Sequence, residues 1–313
     1  MKNYRLLIAV LLFIAATGAY AAGNADSQPA ASKPLVAVSI LPQQYFVERI
    51  AGDRFDVLVL VGQGQSPHSY DPTPRQMADL ARASLWILSG TDFEEGLQPK
   101  IAKQFPSLVQ VDGTRGVTFR LMEGHDHHDE EGEDHDDGHS NKDASADHDQ
   151  PGSIDRHTWL GREPALILAA HVRVALTKID PAGAAQYAAN YDSLTAEINA
   201  VFAKLSKDLA PLAGSEVLVF HPSFGYFLDE FGIGQESVET GGKEPTPRVL
   251  TELIARAREE NTRAIFVQKQ FPVSAAERIA REVGARVVYL DPLSPDWLSN
   301  IELMGNELSK ALQ

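Results

Sequence analysis

Short apolar runs alternate with amphipathic stretches along most of this chain. Leu35 to Leu41 alternates around Val36 and Val38 and predicts a first strand, followed by a helix from Pro42 to Ala51. Asp56 to Val61 is an almost unbroken apolar run, the pattern of a strand buried on both faces of a parallel sheet. A loop rich in Gly, Ser and Pro follows, over 62–72. Thr73 then caps a helix, with Pro74 at its first position and Gln76 completing a capping box. Leu85 to Leu88 and Leu108 to Val111 are the next strands. From Ala165 to Ile179 the pattern is helical. Pro181 opens a longer stretch in which Tyr187, Tyr191, Leu194, Ile198, Val201, Phe202 and Leu205 recur at spacings of three and four. Some 28 residues of helix at about 1.5 Å each reach roughly 42 Å, long enough to run past two lobes.

The second half repeats the alternation. Glu216 to Phe220 predicts a strand, Ser223 to Phe231 a helix, Pro247 to Glu260 a helix and Ala264 to Gln268 a strand. Ser274 to Val283 then predicts a helix, Arg286 to Leu290 a strand and Pro295 to Leu312 a closing helix. The two halves also share a string. Asp71-Pro72-Thr73-Pro74-Arg75 and Glu244-Pro245-Thr246-Pro247-Arg248 each open a helix that leads into an apolar strand. The chain therefore reads as α/β: two pseudo-duplicated parallel-sheet lobes, over 34–180 and 214–313. One long helix over 181–210 lies between them in the chain, and a ligand cleft lies between lobes at the carboxyl ends of strands.

The amino end stands apart. Met1 to Arg5 is basic, Leu6 to Ala16 is apolar, and Ala19-Tyr20-Ala21 fits the small-x-small cleavage rule. Residues 1–22 read as a secretory signal peptide, because eleven apolar residues fall well short of the roughly 20 that span a bilayer. A cleaved leader and a chain with no cysteine, hence no lipid-anchor cysteine and no disulfide, point to a periplasm.

The formal charge is −15, which argues against nucleic acid or anionic lipid as partner. Most of it lies in one tract. Residues 123–149 carry twelve carboxylates against the single base Lys142, a balance of −11. Such a segment cannot bury a core, and 124–150 is expected to be a disordered loop. Six of the ten histidines lie in it: His125, His127, His128, His135, His139 and His148. Carboxylates alone would suit a solubilising spacer. The interspersed imidazoles favour weak transition-metal binding instead.

Four histidines lie in ordered sequence. His171 sits inside a helical pattern and reads as a helix-face residue. His68 is in the loop after the strand ending at Val61, and His157 stands just before a helix. His221 directly follows the strand ending at Phe220, as Asp291 follows the strand ending at Leu290. Residues just past parallel strands face the ligand crevice, so two donors from each lobe can meet there. Three imidazoles and one carboxylate suit Zn²⁺ in tetrahedral geometry; Mn²⁺ and Fe²⁺ also take imidazole.

At these residues the chain resembles the cluster 9 (TroA/ZnuA-like) solute-binding proteins of metal ABC importers. The resemblance runs from about Leu35 to Leu312. It is carried by Pro67-His68-Ser69-Tyr70-Asp71-Pro72-Thr73-Pro74, by Asp155-Arg156-His157-Thr158-Trp159-Leu160, by Phe220-His221-Pro222-Ser223-Phe224-Gly225-Tyr226-Phe227 and by Leu290-Asp291-Pro292-Leu293. It implies two lobes bridged by a rigid helix with one metal between them, held by His68, His157 and His221, with either Asp291 or, as in some zinc members, a water as the fourth ligand. A histidine at 221 and the acidic histidine tract are similar to the zinc-specific members. The resemblance further implies a monomer that delivers its ion to a cognate permease in the inner membrane. Arg156 departs from the family pattern, which has Pro before the histidine.

Two other functions fit parts of the pattern. A secreted zinc hydrolase would use three histidines and a metal-bound water, but the chain lacks His-Glu-x-x-His and its three histidines lie more than 60 residues apart. A periplasmic zinc buffer would rely mainly on the tract.

Overall fold

Two four-stranded sheets, each wholly parallel, organise the protein in a computed structural model that describes residues 33–122, 152–239 and 243–312. The first contains β1 (Leu35–Ile40), β2 (Asp56–Val61), β3 (Leu85–Leu88) and β4 (Val109–Asp112), in the order β2-β1-β3-β4. The second contains β5 (Glu216–Val219), β6 (Gly234–Ser237), β7 (Ala264–Gln268) and β8 (Arg286–Leu290), in the order β6-β5-β7-β8. The strand orders are the same within each lobe: second, first, third, fourth. The shared acidic-Pro-Thr-Pro-Arg string also does the same work twice. Thr73 Oγ1 accepts from Gln76 N, and Thr246 Oγ1 accepts from Val249 N, each capping the helix before the third strand of its sheet.

The helices are α1 (Leu41–Ala51), α2 (Pro74–Leu80), α3 (Asp92–Gln104), α4 (Arg162–Ile179), α5 (Ala184–Asp208), α6 (Gly225–Asp229), α7 (Pro247–Glu259), α8 (Ser274–Val283) and α9 (Trp297–Leu312). They cover the sheets, so the central strands read as apolar runs: Val36, Ala37, Val38 and Ile40 of β1 are fully buried. α5 has 25 residues, about 37 Å of helix. Its buried stripe, Tyr187, Leu194, Ile198, Phe202 and Leu205, packs on α1 and α4 of the first lobe and on α9 of the second. Gly305 of α9 permits that approach, since a Cβ there would come within 2.4 Å of Leu205 Cδ2.

One core runs through both lobes. It continues from Val36 and Trp86 through Phe202 and Phe227 to Phe266 and Trp297. Trp297 packs against Phe46 of the first lobe at 4.9 Å between ring centroids. A smaller core, including Phe220, Ile265 and Ile279, lies on the far side of the second sheet. Near the strand ends the lobes are also tied by hydrogen bonds. Trp159 Nε1 donates to Pro292 O at 2.8 Å, and Trp297 Nε1 donates to Trp159 O at 2.6 Å.

Two elements are absent from the sequence expectation and two others differ from it in their bounds. α3 occupies a span with no predicted helix, and β6 a span with no predicted strand. The helix expected over Ser223–Phe231 is confined to Gly225–Asp229, and the long helix begins at Ala184 after a 3₁₀ turn, Pro181–Gly183. The leader over 1–22 and the tract over 124–150 lie outside the described residues.

Candidate metal centre

His68, His157 and His221 come together, although more than 60 residues separate each from the next. Each is fixed by local backbone chemistry. His68 lies in a single helical turn, Pro67–Ser69, whose cap Ser66 Oγ accepts from His68 N. His157 N donates to Asp155 Oδ1 at 2.9 Å. His221 leaves β5 clamped by the buried Gln268, which accepts from His221 N at 3.2 Å and donates to His221 O at 2.6 Å. The three ring centroids form a near-equilateral triangle of 4.9, 5.0 and 5.4 Å. One ring nitrogen from each histidine lies within 4.8 Å of the others. His157 Nε2 and His221 Nε2 are 3.2 Å apart. Two nitrogens of a tetrahedral zinc site, each about 2.0–2.1 Å from the ion, sit roughly 3.3 Å apart, so this pair already has the spacing of two ligands.

Behind each imidazole stands a carboxylate. His68 Nδ1 meets Asp92 Oδ2 at 2.7 Å, His157 Nδ1 meets Asp155 Oδ1 at 2.8 Å, and His221 Nδ1 meets Glu239 Oε1 at 2.6 Å. An ionised carboxylate only accepts, so Nδ1 carries the proton in each ring. The Nε2 lone pair is thereby left to face an ion, and ligand basicity rises. Asp155 is completely buried. Burial pushes its carboxyl up, but hydrogen bonds and charge from His157 and Arg120 outweigh burial and hold it below the ordinary range.

Two arginines brace these carboxylates. Arg120 Nη1 bonds Asp155 Oδ2 at 2.8 Å, and its Nε bonds Asp229 Oδ2 at 3.0 Å. It crosses over Gly225, where a Cβ would fall 1.6 Å from Nη1, so that position accepts no side chain unless Arg120 moves. Tyr226 Oη accepts from Arg120 N and donates to Asp155 O, both at 3.0 Å. The His157 loop is thus tied to the second lobe. Arg156 reaches back into the first lobe, pairing with Asp92 Oδ1 at 2.9 Å, with Glu95, and with Gly90 O at 2.9 Å. The residue that departs from the family pattern therefore links the His157 loop to the carboxylate behind His68.

The three histidines line a cavity of about 20 Å³, together with Trp159, Gln270 and Phe271 among others. Phe271 stacks on His221 at 4.5 Å and 23°. A single water needs about 10–15 Å³ and pockets for organic ligands run to about 300–1,000 Å³, so the space is of the size of one ion or water.

Asp291 does not join this group. Its Oδ1 accepts from Gln270 Nε2 at 2.9 Å and from Leu293 N at 3.0 Å. His171 Nε2 bonds Arg115 O, away from the cluster, as its helical setting implies. The tract histidines at 125, 127, 128, 135, 139 and 148 lie outside the described residues. Sequence reasoning missed Asp92, Asp155, Glu239, Gln268 and Gln270. Asp155, two residues before a ligand candidate, carried the one local signal.

The family model for ZnuA, "Zinc-uptake complex component A periplasmic", matches residues 36–311. The high-affinity zinc uptake system protein ZnuA of Bacillus subtilis is 28% identical over 294 residues, 92% of this chain and 87% of that protein. A crystal structure of a ZnuA deletion mutant with zinc bound is 32% identical at a TM-score of 0.77, covering 90% of this chain and 98% of that one. The same fold, at 22% identity and a TM-score of 0.73, occurs in the solute-binding protein FpvC of Pseudomonas aeruginosa in complex with Mn²⁺, covering 90% of this chain and 99% of that one. Matched over nearly the whole of its two lobes, this chain belongs to the ZnuA family of periplasmic zinc-uptake components.

Proposed function

We propose that this protein is an extracytoplasmic Zn²⁺ receptor, which captures the ion with His68, His157 and His221 and hands it to an ABC permease in the inner membrane. The observation that carries the reading is the set of three imidazoles, each oriented by a carboxylate, around a space for one ion. All-imidazole coordination suits zinc better than manganese, which stands lowest in the first-row affinity order at nitrogen sites. The chemistry is capture and release. His68 and His157 belong to the first lobe and His221 to the second, so the ion bridges the lobes and leaves when that bridge opens.

Residues 1–22 serve as a cleaved leader in this reading, and the mature chain works as a monomer in the periplasm. Among the described residues no helix is long and apolar enough to cross a membrane. The tract over 124–150 gathers zinc weakly and is separate from the tight site.

The test is zinc stoichiometry and affinity of the mature protein with residues 125–148 deleted. One tight site should survive the deletion, and the triple variant His68→Ala, His157→Ala, His221→Ala should lose it. A triple variant that still binds one zinc tightly would show that the ion sits elsewhere. Loss of nearly all binding on deleting the tract alone would favour a buffer.

A further inference from the structure

Gln270 contributes to the cavity wall beside the three histidines, yet the three-histidine site leaves its chemistry unused. It lies two residues beyond β7 and precedes Phe271, the ring stacked on His221. The orientation of its amide is set by Asp291. Nε2 stands 2.9 Å from Asp291 Oδ1, and a carboxylate partner requires the NH₂ end there. Oε1 therefore points away from Asp291, and it is buried without a hydrogen-bond partner in the protein. Buried acceptors almost always have a donor, because leaving one unmatched forfeits its hydration.

With zinc held by the three histidines, as proposed above and as this step requires, one tetrahedral position remains. The cavity is of the size of one ion or water. Asp291 does not line it, and its Oδ1 is already engaged by Gln270 and by the Leu293 amide. A water on zinc is acidified by the ion and becomes a strong donor that needs an acceptor. A neutral amide oxygen is not among the ligands zinc ordinarily takes directly. We infer that Gln270 Oε1 accepts a hydrogen bond from the water completing the zinc coordination, and that Asp291 is a positioning residue that orients the Gln270 amide. The ligand set is then three imidazoles and one water, with Gln270 setting how firmly the water is held.

The experiment uses the mature full-length chain, with Zn²⁺ affinity measured by chelator competition and with one equivalent of Co²⁺ as a spectroscopic probe. Gln270→Met keeps the length of the side chain and removes the acceptor. It should weaken zinc about 10–100-fold, the usual effect of losing an outer-shell partner. It should also shift the visible Co²⁺ bands, with one metal per chain and the apo melting temperature retained. Asp291→Asn keeps an oxygen that can accept from Gln270 Nε2 and should change affinity and spectrum far less. Two results overturn the assignment: Gln270→Met matching the wild type in both affinity and spectrum, or Asp291→Asn abolishing tight binding as loss of a ligand would. His221→Ala separates the two levels. If it too binds like the wild type, the three-histidine site itself is wrong; if only Gln270→Met is silent, that site stands and Gln270 has no part in it.

Discussion

Glu239→Gln is the substitution that best isolates the carboxylates behind the three histidines. Glu239 and His221 are 2% and 1% exposed, and their hydrogen bond is 2.6 Å long. Salt and water screen such a pair very little. A hydrogen bond to a charged group contributes about 1.5–3 kcal/mol, against about 0–1 kcal/mol for an exposed ion pair. Glutamine keeps the volume and one acceptor oxygen but removes the charge that polarises the imidazole toward the ion. The expected loss is about 1.4–2.8 kcal/mol of zinc affinity, or 10–100-fold. The control is Glu252→Gln on the surface of α7, where Arg248 lies 3.7 Å away with 79% of its side chain exposed; affinity there should not move. Chelator competition at neutral pH gives both affinities, and apo melting curves show whether the fold is intact. Glu239→Gln binding zinc within twofold of the wild type, with melting unchanged, would refute the role assigned to these carboxylates.

His68→Ala, His157→Ala and His221→Ala should each sharply weaken the tight site in calorimetry, while His171→Ala, bonded only to the Arg115 carbonyl in the described contacts, should bind normally. Zinc should raise the melting temperature with the logarithm of free metal, adding about 2.7 kcal/mol of stability at a hundred times Kd; a melting temperature independent of zinc would contradict specific binding. Zinc binding should weaken on acidification, because protons compete for the imidazoles, and a flat pH profile between 5 and 8 would argue for other ligands. Away from the site, Glu236 is pushed up to about 7, first by burial and then by Glu216 and Glu260, with Arg256 opposing. A carboxyl raised in the fold favours the folded state while protonated, so this contribution is lost as pH rises from about 4.5 to about 7. Glu236→Gln should therefore gain stability relative to the wild type across that window in chemical denaturation, and a constant difference at every pH would count against it.

Much of the scaffold is legible in the residues. Short apolar runs mark β3, β5 and β7, alternation around Val36 and Val38 marks β1, and the three–four spacing marks α5 because one stripe faces both lobes. The apolar run of β2, read as a strand buried on both faces, lies at the sheet edge with Val57, Leu58 and Val59 only half-buried. α3 hides because Gly96 and Pro99 interrupt a polar stretch with two buried residues, Glu94 and Ile101. β6 hides because Gly234, Gln235, Glu236 and Ser237 have little strand preference; this edge strand is held by pairing with β5. Missing β6 also hides Glu239, which stands just beyond it. The histidines are readable from their places after strands and before a helix, whereas their carboxylate partners depend on tertiary approach: Asp92 lies 24 residues from His68, and Glu239 18 from His221. Asp291 shows the limit of the strand-end rule. It lies at the carboxyl end of β8 as expected, but the turn through Pro292 closes its Oδ1 onto the Leu293 amide, and Gln270 takes the same oxygen.

Zinc K-edge X-ray absorption on the mature protein lacking residues 125–148, loaded with one equivalent of zinc, tests the centre most directly. Three imidazole nitrogens and one oxygen at about 2.0–2.1 Å, with the outer-shell scattering of three rings, are expected. A first shell built from carboxylate oxygens, or one unchanged when His68, His157 and His221 are replaced by alanine, would place the ion elsewhere.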